Sequence, residues 1–393
     1  MCVYPSILIV TTTSFTVPKS IVLVRTTMMR GTALFHTLTT ASLLVATTRG
    51  LAWRSTGMSR QRLSSSLSAA TGTASSSASS TTSTVIQNML YRIRQVNSLP
   101  NDLEMLDFCL DGVVLGKVRP DKAATLRAAT FFDQQTVFCL DPQRPRTLTL
   151  SNTIAPTCQA RTAAVRTVME QLRDAGRIRG WRDEDYPVAA KFGDAPLLLV
   201  ERAAVPWLGA LEYGVHMNGM LSVSDTAAKD DTTVPRLWMA RRSATKSKYP
   251  GMVDHLVAGG QPAGLSLWEN AVKECQEEAG IPADVARQAL QPVGAVSYAS
   301  LTADDTLTRA VLFTYDLHVP ANFTPTPVDG EVEEFFPWSV DDMLASLAPD
   351  YPDPLKPNCY LVLIDWLIRH GHVSPDTPGY LEVLRELRSG DCQ

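Results

Sequence analysis

A glycine-rich loop followed by an acidic helix is the feature that most constrains the fold of this chain. The segment Gly259–Ile281 reads GGQPAGLSLWENAVKECQEEAGI and places Glu274, Glu277 and Glu278 on one predicted helix. At 100° per residue, Glu277 lies about 60° to one side of Glu274 and Glu278 about 40° to the other, so all three share one face. Like charges at i and i+4 repel by roughly 0.2–0.5 kcal/mol, and a divalent cation would reverse that cost. The segment therefore predicts an oxygen-ligated Mg²⁺ or Mn²⁺ used in phosphate chemistry.

The same segment resembles the Nudix box, whose pattern is G-x5-E-x7-R-E-U-x-E-E-x-G-U, where U is aliphatic. Gly259 opens the match. Three positions depart from the pattern, because Leu265 replaces the first Glu, Lys273 replaces the Arg and Cys275 takes an aliphatic position. An apolar residue at the first Glu is familiar in the subfamily to which this chain is similar. The remaining required positions carry the expected residues, which are Glu274, Glu277, Glu278, Gly280 and Ile281.

The resemblance implies a metal-dependent hydrolase in which Glu274, Glu277 and Glu278 bind one or two Mg²⁺ (or Mn²⁺) ions. Gly259 either adds a backbone carbonyl ligand or serves only as a tight turn. The family chemistry is attack of water on phosphorus. The general base is either a box carboxylate, such as Glu277 or Glu278, or Glu331 in the later segment VDGEVEEF. Without metal, the side chains of Glu277 and Glu278 are expected at the surface.

Two further residues of the segment are expected to support the acidic helix. Lys273 keeps the positive charge of the family Arg but loses its bidentate fork. Glu269 lies on the same helical row as Lys273 and Glu277, so it can supply the missing acid. Alternatively, Glu269 closes a capping box with Ser266 as the N-cap residue. The sequence leaves both roles of Glu269 open.

Substrate contacts are predicted from charge and aromatic character. The segment RRSATKSK follows a predicted strand, and its cations Arg241, Lys246 and Lys248 either contact phosphate oxygens or lie in a solvated loop. His216 and His255 are predicted to be packed, hydrogen-bonded residues, and RGWRDEDYPV is predicted to be a charged turn. Aromatic residues available either for stacking on a ring or for the core are Trp181, Trp207, Trp238, Tyr249 and Tyr298.

The chain of 393 residues is long enough for two folded domains behind a leader. Periodicity predicts a small α+β domain over residues 85–208, which begins with an amphipathic helix at 85–97. The Nudix domain is predicted over 209–393, where the resemblance implies an α/β/α sandwich with a mixed sheet. The acidic helix is predicted over 267–279. The predicted fold class is therefore α/β, preceded by a small α+β domain and a disordered leader.

Residues 1–84 have the composition of a targeting leader followed by a disordered segment. No acidic residue precedes Asp102, and the stretch 64–83 is almost pure Ser, Thr and Ala. Met28-Met29-Arg30 precedes a moderately apolar run, as in bipartite leaders for plastids entered through the secretory system. A plastid is therefore expected, with a mitochondrion or a mispredicted gene start as alternatives. A cleaved leader is favoured over a stable membrane anchor.

Charge and cysteine usage argue against several classes of function. The net charge is −4 and the folded part carries no basic stripe, which argues against a nucleic-acid polymer as partner. The seven cysteines are odd in number and contain no CxxC pair, so neither a disulfide framework nor a zinc site is predicted. A small-molecule diphosphate is the expected partner, and the sequence does not determine the oligomeric state.

The resemblance extends beyond the Nudix box to other segments of the sequence, such as KYPGMVDHLVAGGQPAG and LVLIDWLIRHGHVSPDTPGYLEVLRELR. They are similar to a Nudix subfamily that joins an N-terminal domain of unassigned role to the Nudix fold. Its members include plant plastid-type Nudix hydrolases and the Nudix half of fungal thiamine pyrophosphokinases. The resemblance implies removal of one phosphate from damaged thiamine diphosphate, such as oxo- or oxy-thiamine diphosphate. The alternatives are an 8-oxo-dGDP-type phosphatase and a non-catalytic nucleotide- or partner-binding module.

Overall fold

The first helix, α1, spans Ala74–Val96 and begins inside the Ser- and Thr-rich stretch 64–83. The packed turns of α1 follow Val85, and the disordered segment expected up to residue 84 stays a prediction. The leader predicted before Ala74 lies outside the described residues. No helix in the described part of the chain is long and apolar enough to cross a membrane. The computed structural model describes residues 74–100, 102–129, 135–221, 235–246, 248–320 and 322–390.

The segment after α1 forms a small α+β fold. Its elements are β1 Leu106–Leu110, β2 Val113–Val118, α2 Pro120–Ala128, β3 Phe138–Asp141, β4 Arg144–Leu150, α3 Cys158–Asp174, β5 Asp185–Val188 and β6 Leu198–Glu201. Four strands form a sheet in the order β2-β1-β4-β3, where only β1 and β4 are parallel, and β5 pairs with β6. The β1–β2 hairpin turns at Asp111 and Gly112, both with positive φ.

The rest of the chain forms a mixed seven-stranded sheet between helices. Its elements are α4 Val205–Leu208, β7 Leu211–Leu221, β8 Arg236–Arg242, β9 Val253–His255, β10 Val257–Gly260, α5 Leu267–Ala279, α6 Ala283–Ala289, β11 Leu290–Leu301, β12 Leu307–Val319, β13 Val332–Ser339, α7 Val340–Ser346, α8 Cys359–Arg369 and α9 Tyr380–Glu386. The main strand order is β11-β12-β7-β8-β13, with β10 paired to β7 and β9 to β8. Strands β12 and β7 are parallel and their other neighbours are antiparallel, which confirms a mixed sheet.

Alternation along β7 distributes its side chains between the two faces of this sheet. Val215 and Met217 pack with α5 and α6 in one core, whereas Met220 packs against the other core. That other core contains α7, α8, α9 and the packed face of α1, including Met89 and Ile93. The helices on both faces confirm the predicted α/β/α sandwich. Helix α1 packs with the C-terminal helices, and the domain boundary after residue 208 stays a prediction.

Candidate active site

Local hydrogen bonds fix both ends of α5 and so set the position of its acidic side chains. The Ser266 hydroxyl accepts the backbone N–H of Glu269 at 3.2 Å, and the Glu269 carboxylate accepts the backbone N–H of Ser266 at 2.9 Å. At the other end, Gly280 adopts the left-handed conformation with φ 64°. The Glu269 carboxylate is therefore engaged in the capping box, and we do not include it among the metal ligands.

Glu278 is the most buried of the three box carboxylates, with 8% of its surface exposed. It follows Ala271 and Cys275 on the inner face of α5, where both of those residues are fully buried. Its Oε2 atom accepts the backbone N–H of Ala258 on β10 at 2.9 Å. Burial raises the pKa of Glu278 to about 8. The expectation that Glu278 lies at the surface is therefore wrong, because this side of the helix faces the sheet.

Glu274 packs directly against the backbone of Gly259. A Cβ atom on Gly259 would lie 2.3 Å from the Glu274 Cδ atom, so the site requires glycine. Burial raises the pKa of Glu274. Lys273 lies between two carboxylates, with its Nζ atom 3.3 Å from Glu274 Oε1 and 2.6 Å from Glu277 Oε2. The Glu277 side chain is half exposed, as the sequence predicts.

A later loop brings Asp329 and Glu331 to Glu278. One carboxylate oxygen from each of these residues lies within 4.8 Å of the other two. Lys246 forms an ion pair with Glu331, and Arg182 lies 3.5 Å from the other Glu331 oxygen. Burial raises the pKa of Glu331, but the hydrogen bond from Lys246 and the charges of Lys246 and Arg182 outweigh burial and hold that pKa below its ordinary value.

The carboxylate cluster formed by Glu278, Asp329 and Glu331 suits a hard divalent cation. The nearby charge of Glu274 adds to the rise in the pKa of Glu278, so the buried group is poorly stabilised as an anion. A bound cation would remove that penalty. The donors are all oxygens, which favours Mg²⁺ or Mn²⁺ over zinc.

A second buried group contains residue types that ligate metals, namely His216, Asp254, His255 and Cys359. The Oδ2 atom of Asp254 is already paired with Arg242 at 2.7 Å and with Lys356 at 3.1 Å. These two cations neutralise the carboxylate and occupy its Oδ2 atom, so Asp254 is engaged in an ion pair. His216 and His255 hydrogen bond to each other at 3.2 Å, as predicted for packed histidines.

The segment predicted to be a charged turn, RGWRDEDYPV, reaches the site from the small α+β fold. The Tyr186 hydroxyl lies over Gly260, where a Cβ atom would come within 1.5 Å of it. The Arg202 guanidinium lies 5.8 Å from the centre of the Tyr186 ring and 3.0 Å from the Glu184 carboxylate. Together with Arg182, these residues extend the site beyond the Nudix box. The only sequence signal was a run of charges around one tyrosine, which does not distinguish a surface turn from an interface.

The cations that the sequence assigns to the substrate are not brought together. Lys246 reaches the carboxylate cluster through Glu331. Arg241 instead forms two hydrogen bonds with Asp353, at 2.7 and 2.8 Å. Lys248 is exposed. Of these three residues, only Lys246 lies beside the acidic groups.

Comparison with known proteins identifies two family models in this chain. Residues 224–358 match the NUDIX domain, and residues 88–212 match a domain of unknown function (DUF4743). Nudix hydrolase 20, chloroplastic, from Arabidopsis thaliana is 38% identical over 358 residues, which cover 87% of this chain and 92% of that protein. Nudix hydrolase 24, chloroplastic, from the same plant is 44% identical over 60% of this chain and 61% of that protein. An uncharacterized protein of Saccharomyces cerevisiae is 36% identical over 53% of this chain and 61% of that protein.

Proposed function

The chain belongs to the Nudix family, and from that premise we propose that it converts a damaged form of thiamine diphosphate, such as oxo- or oxy-thiamine diphosphate, to the monophosphate. As a Nudix hydrolase it acts on pyrophosphate bonds. The observation that carries the proposal is the convergence of Glu278, Asp329 and Glu331 within 4.8 Å of one another. Such a cluster suits a cation that binds a diphosphate. The choice of a thiamine-type organic group rests on the subfamily resemblance.

We assign Glu274, Glu277 and Glu278, with the backbone carbonyl of Gly259, to one or two Mg²⁺ (or Mn²⁺) ions. When bound, the cation polarises the attacking water and neutralises charge on the departing phosphate. Asp329 joins these ligand candidates, because its carboxylate lies in the same cluster as Glu278. Sequence reasoning missed Asp329, since nothing distinguishes it from a polar residue in a turn.

We assign the general base to Glu331. Lys246 and Arg182 hold its pKa below the ordinary value, so the carboxylate is charged at neutral pH and able to accept a proton from water. The same two cations fix the orientation of the carboxylate. Glu278 suits the ligand role better, because its raised pKa keeps it largely protonated at neutral pH until a cation binds.

Replacing Lys273 with Ala is expected to lower kcat/KM by about tenfold or less. The two ion pairs of Lys273 lie near the surface, and such pairs contribute about 0–1 kcal/mol each. The matched comparison is Glu277→Gln, whose loss is expected to be several times larger because it removes a ligand. Initial rates of phosphate release over a range of substrate concentrations give both values. Equal losses would mean that Lys273 contacts the substrate.

Replacing Arg182 with Ala is expected to move the acidic limb of the kcat/KM pH profile upward while changing kcat/KM near neutral pH by less than about twofold. The sign follows because removing a nearby cation raises the pKa of Glu331, so more of the base is protonated at a given pH. Arg179→Ala, at an exposed position in the same segment, is the control. An acidic limb that stays in place would refute the assignment of Glu331.

We also propose that the protein is located in a plastid. Two relatives, 38% and 44% identical, are named as chloroplastic, and the acid-poor leader fits that location. Sequencing the N-terminus of the mature protein is expected to give a start after about residue 80. Retention of Met1 would contradict the leader.

The test of the proposed function is Mg²⁺-dependent phosphate release by the full chain. Oxothiamine diphosphate, thiamine diphosphate and 8-oxo-dGDP are compared side by side, with EDTA and Glu278→Gln as blanks. Preference for the oxothiamine compound supports repair of damaged thiamine diphosphate. Preference for 8-oxo-dGDP would instead indicate an enzyme that hydrolyses damaged nucleoside diphosphates. If the folded protein releases no phosphate from any of the three compounds, a non-catalytic binding module would be favoured.

A further inference from the structure

Two arginines of the small α+β fold lie at the same end of the β5–β6 pair. Arg182 precedes β5, and Arg202 follows β6 directly. The buried carboxylate of Glu201 connects them, since its Oε1 atom accepts the backbone N–H groups of Arg182 at 2.9 Å and Ala203 at 3.2 Å. Its Oε2 atom accepts the backbone N–H of Glu184 at 3.1 Å. These charge-assisted hydrogen bonds fix the backbone on both sides of the arginines.

The Arg202 side chain extends over the glycine loop of the Nudix box. A Cβ atom on Gly260 would lie 1.5 Å from the Tyr186 hydroxyl and 3.4 Å from the guanidinium carbon of Arg202. Gly260 therefore leaves room that these two groups occupy. Successive residues of a strand point to opposite faces, so Arg202 approaches β10 from the face opposite to that of Gly259 and Glu274.

The outer edge of β10 brings the carboxylate cluster next to this arginine. The strand pairs with β7 along one edge. Along the other edge α5 supplies the hydrogen bonds, because Glu278 accepts the N–H of Ala258 at 2.9 Å and the Asn270 side chain donates to the Gly260 carbonyl at 2.7 Å. Backbone groups of alternate residues point to the same edge of a strand. Arg202, which lies over Gly260, is therefore beside the edge that binds Glu278.

Electrostatic effects also place Arg202 and its partner Glu184 beside the proposed site. Burial raises the pKa of Glu331, whereas the charge of Arg202, with those of the neighbouring cations, acts to lower it. Burial raises the pKa of Glu274, and the charge of Glu184 adds to that rise. Such effects fade over about 10 Å. The Arg202–Glu184 pair therefore borders the acidic groups that we assign to the cation and to the base.

The guanidinium of Arg202 retains donors for a ligand. Its Nη1 atom donates to the Glu184 carboxylate at 3.0 Å, and no other residue in the described part of the chain accepts a hydrogen bond from this guanidinium. The Arg202 side chain is 46% exposed. A guanidinium carries five N–H donors in a planar fork that matches a pair of phosphate oxygens. An exposed ion pair adds little to stability, so the fold alone does not explain this arrangement.

We propose that Arg202 binds the diphosphate of the substrate, and that the small α+β fold thereby supplies a phosphate-binding residue to the Nudix site. The guanidinium donates to oxygens on one side of the diphosphate, while the other side meets the cation at the carboxylate cluster. Glu184 holds the guanidinium in position when no phosphate is present. The inference rests on the proposed function for the presence of a diphosphate, but it is independent of the organic group.

Calorimetry on the full chain with methylenediphosphonate at a fixed Mg²⁺ concentration tests this contact. The probe carries both phosphorus groups, no organic group and no hydrolysable bridge. Arg202→Ala is expected to weaken its binding by about tenfold or more, because charge-assisted hydrogen bonds are lost. Arg202→Lys keeps the charge but not the fork, so a loss of about three- to tenfold is expected. Arg179→Ala, at an exposed position in the same fold, is expected to keep the wild-type affinity.

Two results with this probe would overturn the inference directly. One is the absence of measurable binding by the wild type, and the other is wild-type affinity in Arg202→Ala. Thermal unfolding accompanies the calorimetry, and the Tm of each variant is expected to lie within about three degrees of the wild type, because the ion pair is exposed.

Glu184→Gln separates a phosphate contact from an ion pair that only joins two segments. The amide releases the guanidinium and removes an anion that repels the phosphate, so binding of the probe is expected to tighten by about two- to threefold. A loss of affinity equal to that of Arg202→Ala would instead show that the pair has a structural role, against the proposal.

Kinetics distinguish this inference from the proposed function. With oxothiamine diphosphate, Arg202→Ala is expected to raise KM by about tenfold while kcat changes by less than about threefold. If this compound is not hydrolysed but Arg202→Ala still weakens binding of the probe, the proposed function fails and the inference stands. If it is hydrolysed with the same KM by both proteins, the inference fails and the function stands.

Discussion

Replacing Glu278 with Gln is expected to lower kcat/KM for diphosphate hydrolysis by about 10³-fold while leaving the fold intact. The loss corresponds to about 4 kcal/mol of transition-state stabilisation at 1.36 kcal/mol per factor of ten. Its size follows from the place of Glu278 in the cluster with Asp329 and Glu331, where an amide cannot supply the negative charge that a divalent cation requires.

The fold is expected to survive because Gln resembles the state that Glu278 already adopts without a cation. Burial raises the pKa of Glu278 to about 8, so the carboxyl is largely protonated and neutral at pH 7. The amide oxygen of Gln can accept the backbone N–H of Ala258 as the carboxylate does. The amide has nearly the same shape and volume as the carboxyl group, so little packing is lost.

The measurement combines phosphate release over a range of Mg²⁺ concentrations with thermal unfolding in EDTA. Glu333→Gln, at an exposed position on β13, is the matched control and is expected to behave as wild type in both assays. A Glu278→Gln protein with wild-type turnover would refute the ligand assignment. A protein with a much lower Tm would show that the carboxylate is needed for folding.

Much of the fold could be predicted because its signals are local. Ser266 and Glu269 determine where α5 begins, and Gly280 determines where it ends, so the helix matches its predicted bounds. Asp111 and Gly112 specify the first hairpin in the same way. The resemblance supplied the α/β/α layers and the mixed sheet of the second part, which periodicity alone cannot give.

Parts of the candidate site could not be predicted because they depend on contacts between distant segments. The burial of Glu278 depends on the backbone N–H of Ala258, which comes from a strand and not from the helix. Arg241 has the charge and position of a phosphate ligand, yet Asp353 binds it from far along the chain. Arg182 reaches Glu331 from the small α+β fold. Residue type and spacing contain no information about these pairings.

These contacts change how the first part of the chain is understood. Arg182 lies 3.5 Å from the proposed base, Glu331, and the Tyr186 hydroxyl lies against Gly260, the residue after Gly259. The segment that contains both residues also contributes a backbone hydrogen bond, since the carbonyl of Asp185 accepts the N–H of Ala263 at 2.8 Å. The small α+β fold therefore forms one wall of the candidate site.

Replacing Gly259 with Ala is expected to lower kcat/KM by about 100-fold with little change in the backbone fold. The added Cβ atom would lie 2.3 Å from Glu274 Cδ and 2.6 Å from its Oε1 atom, far inside van der Waals contact. The Glu274 side chain must then move by about 1 Å, and a displacement of that size at a reacting centre costs about 10²-fold in rate. Gly259 has an ordinary backbone conformation for an L-residue, so the effect of Ala is steric and does not arise from strain in φ.

A double-mutant cycle tests that cause. In a Glu274→Ala background the clashing side chain is absent, so Gly259→Ala is expected to cause no further loss of activity. If the fold-loss of kcat/KM in the double mutant equals the product of the two single-mutant losses, Gly259 contributes to activity independently of Glu274, for example through its carbonyl oxygen. A wild-type rate in Gly259→Ala would instead show that Glu274 can shift without consequence. Glu274 would then no longer count as a ligand, and the catalytic cation would be held by Glu277, Glu278 and Asp329.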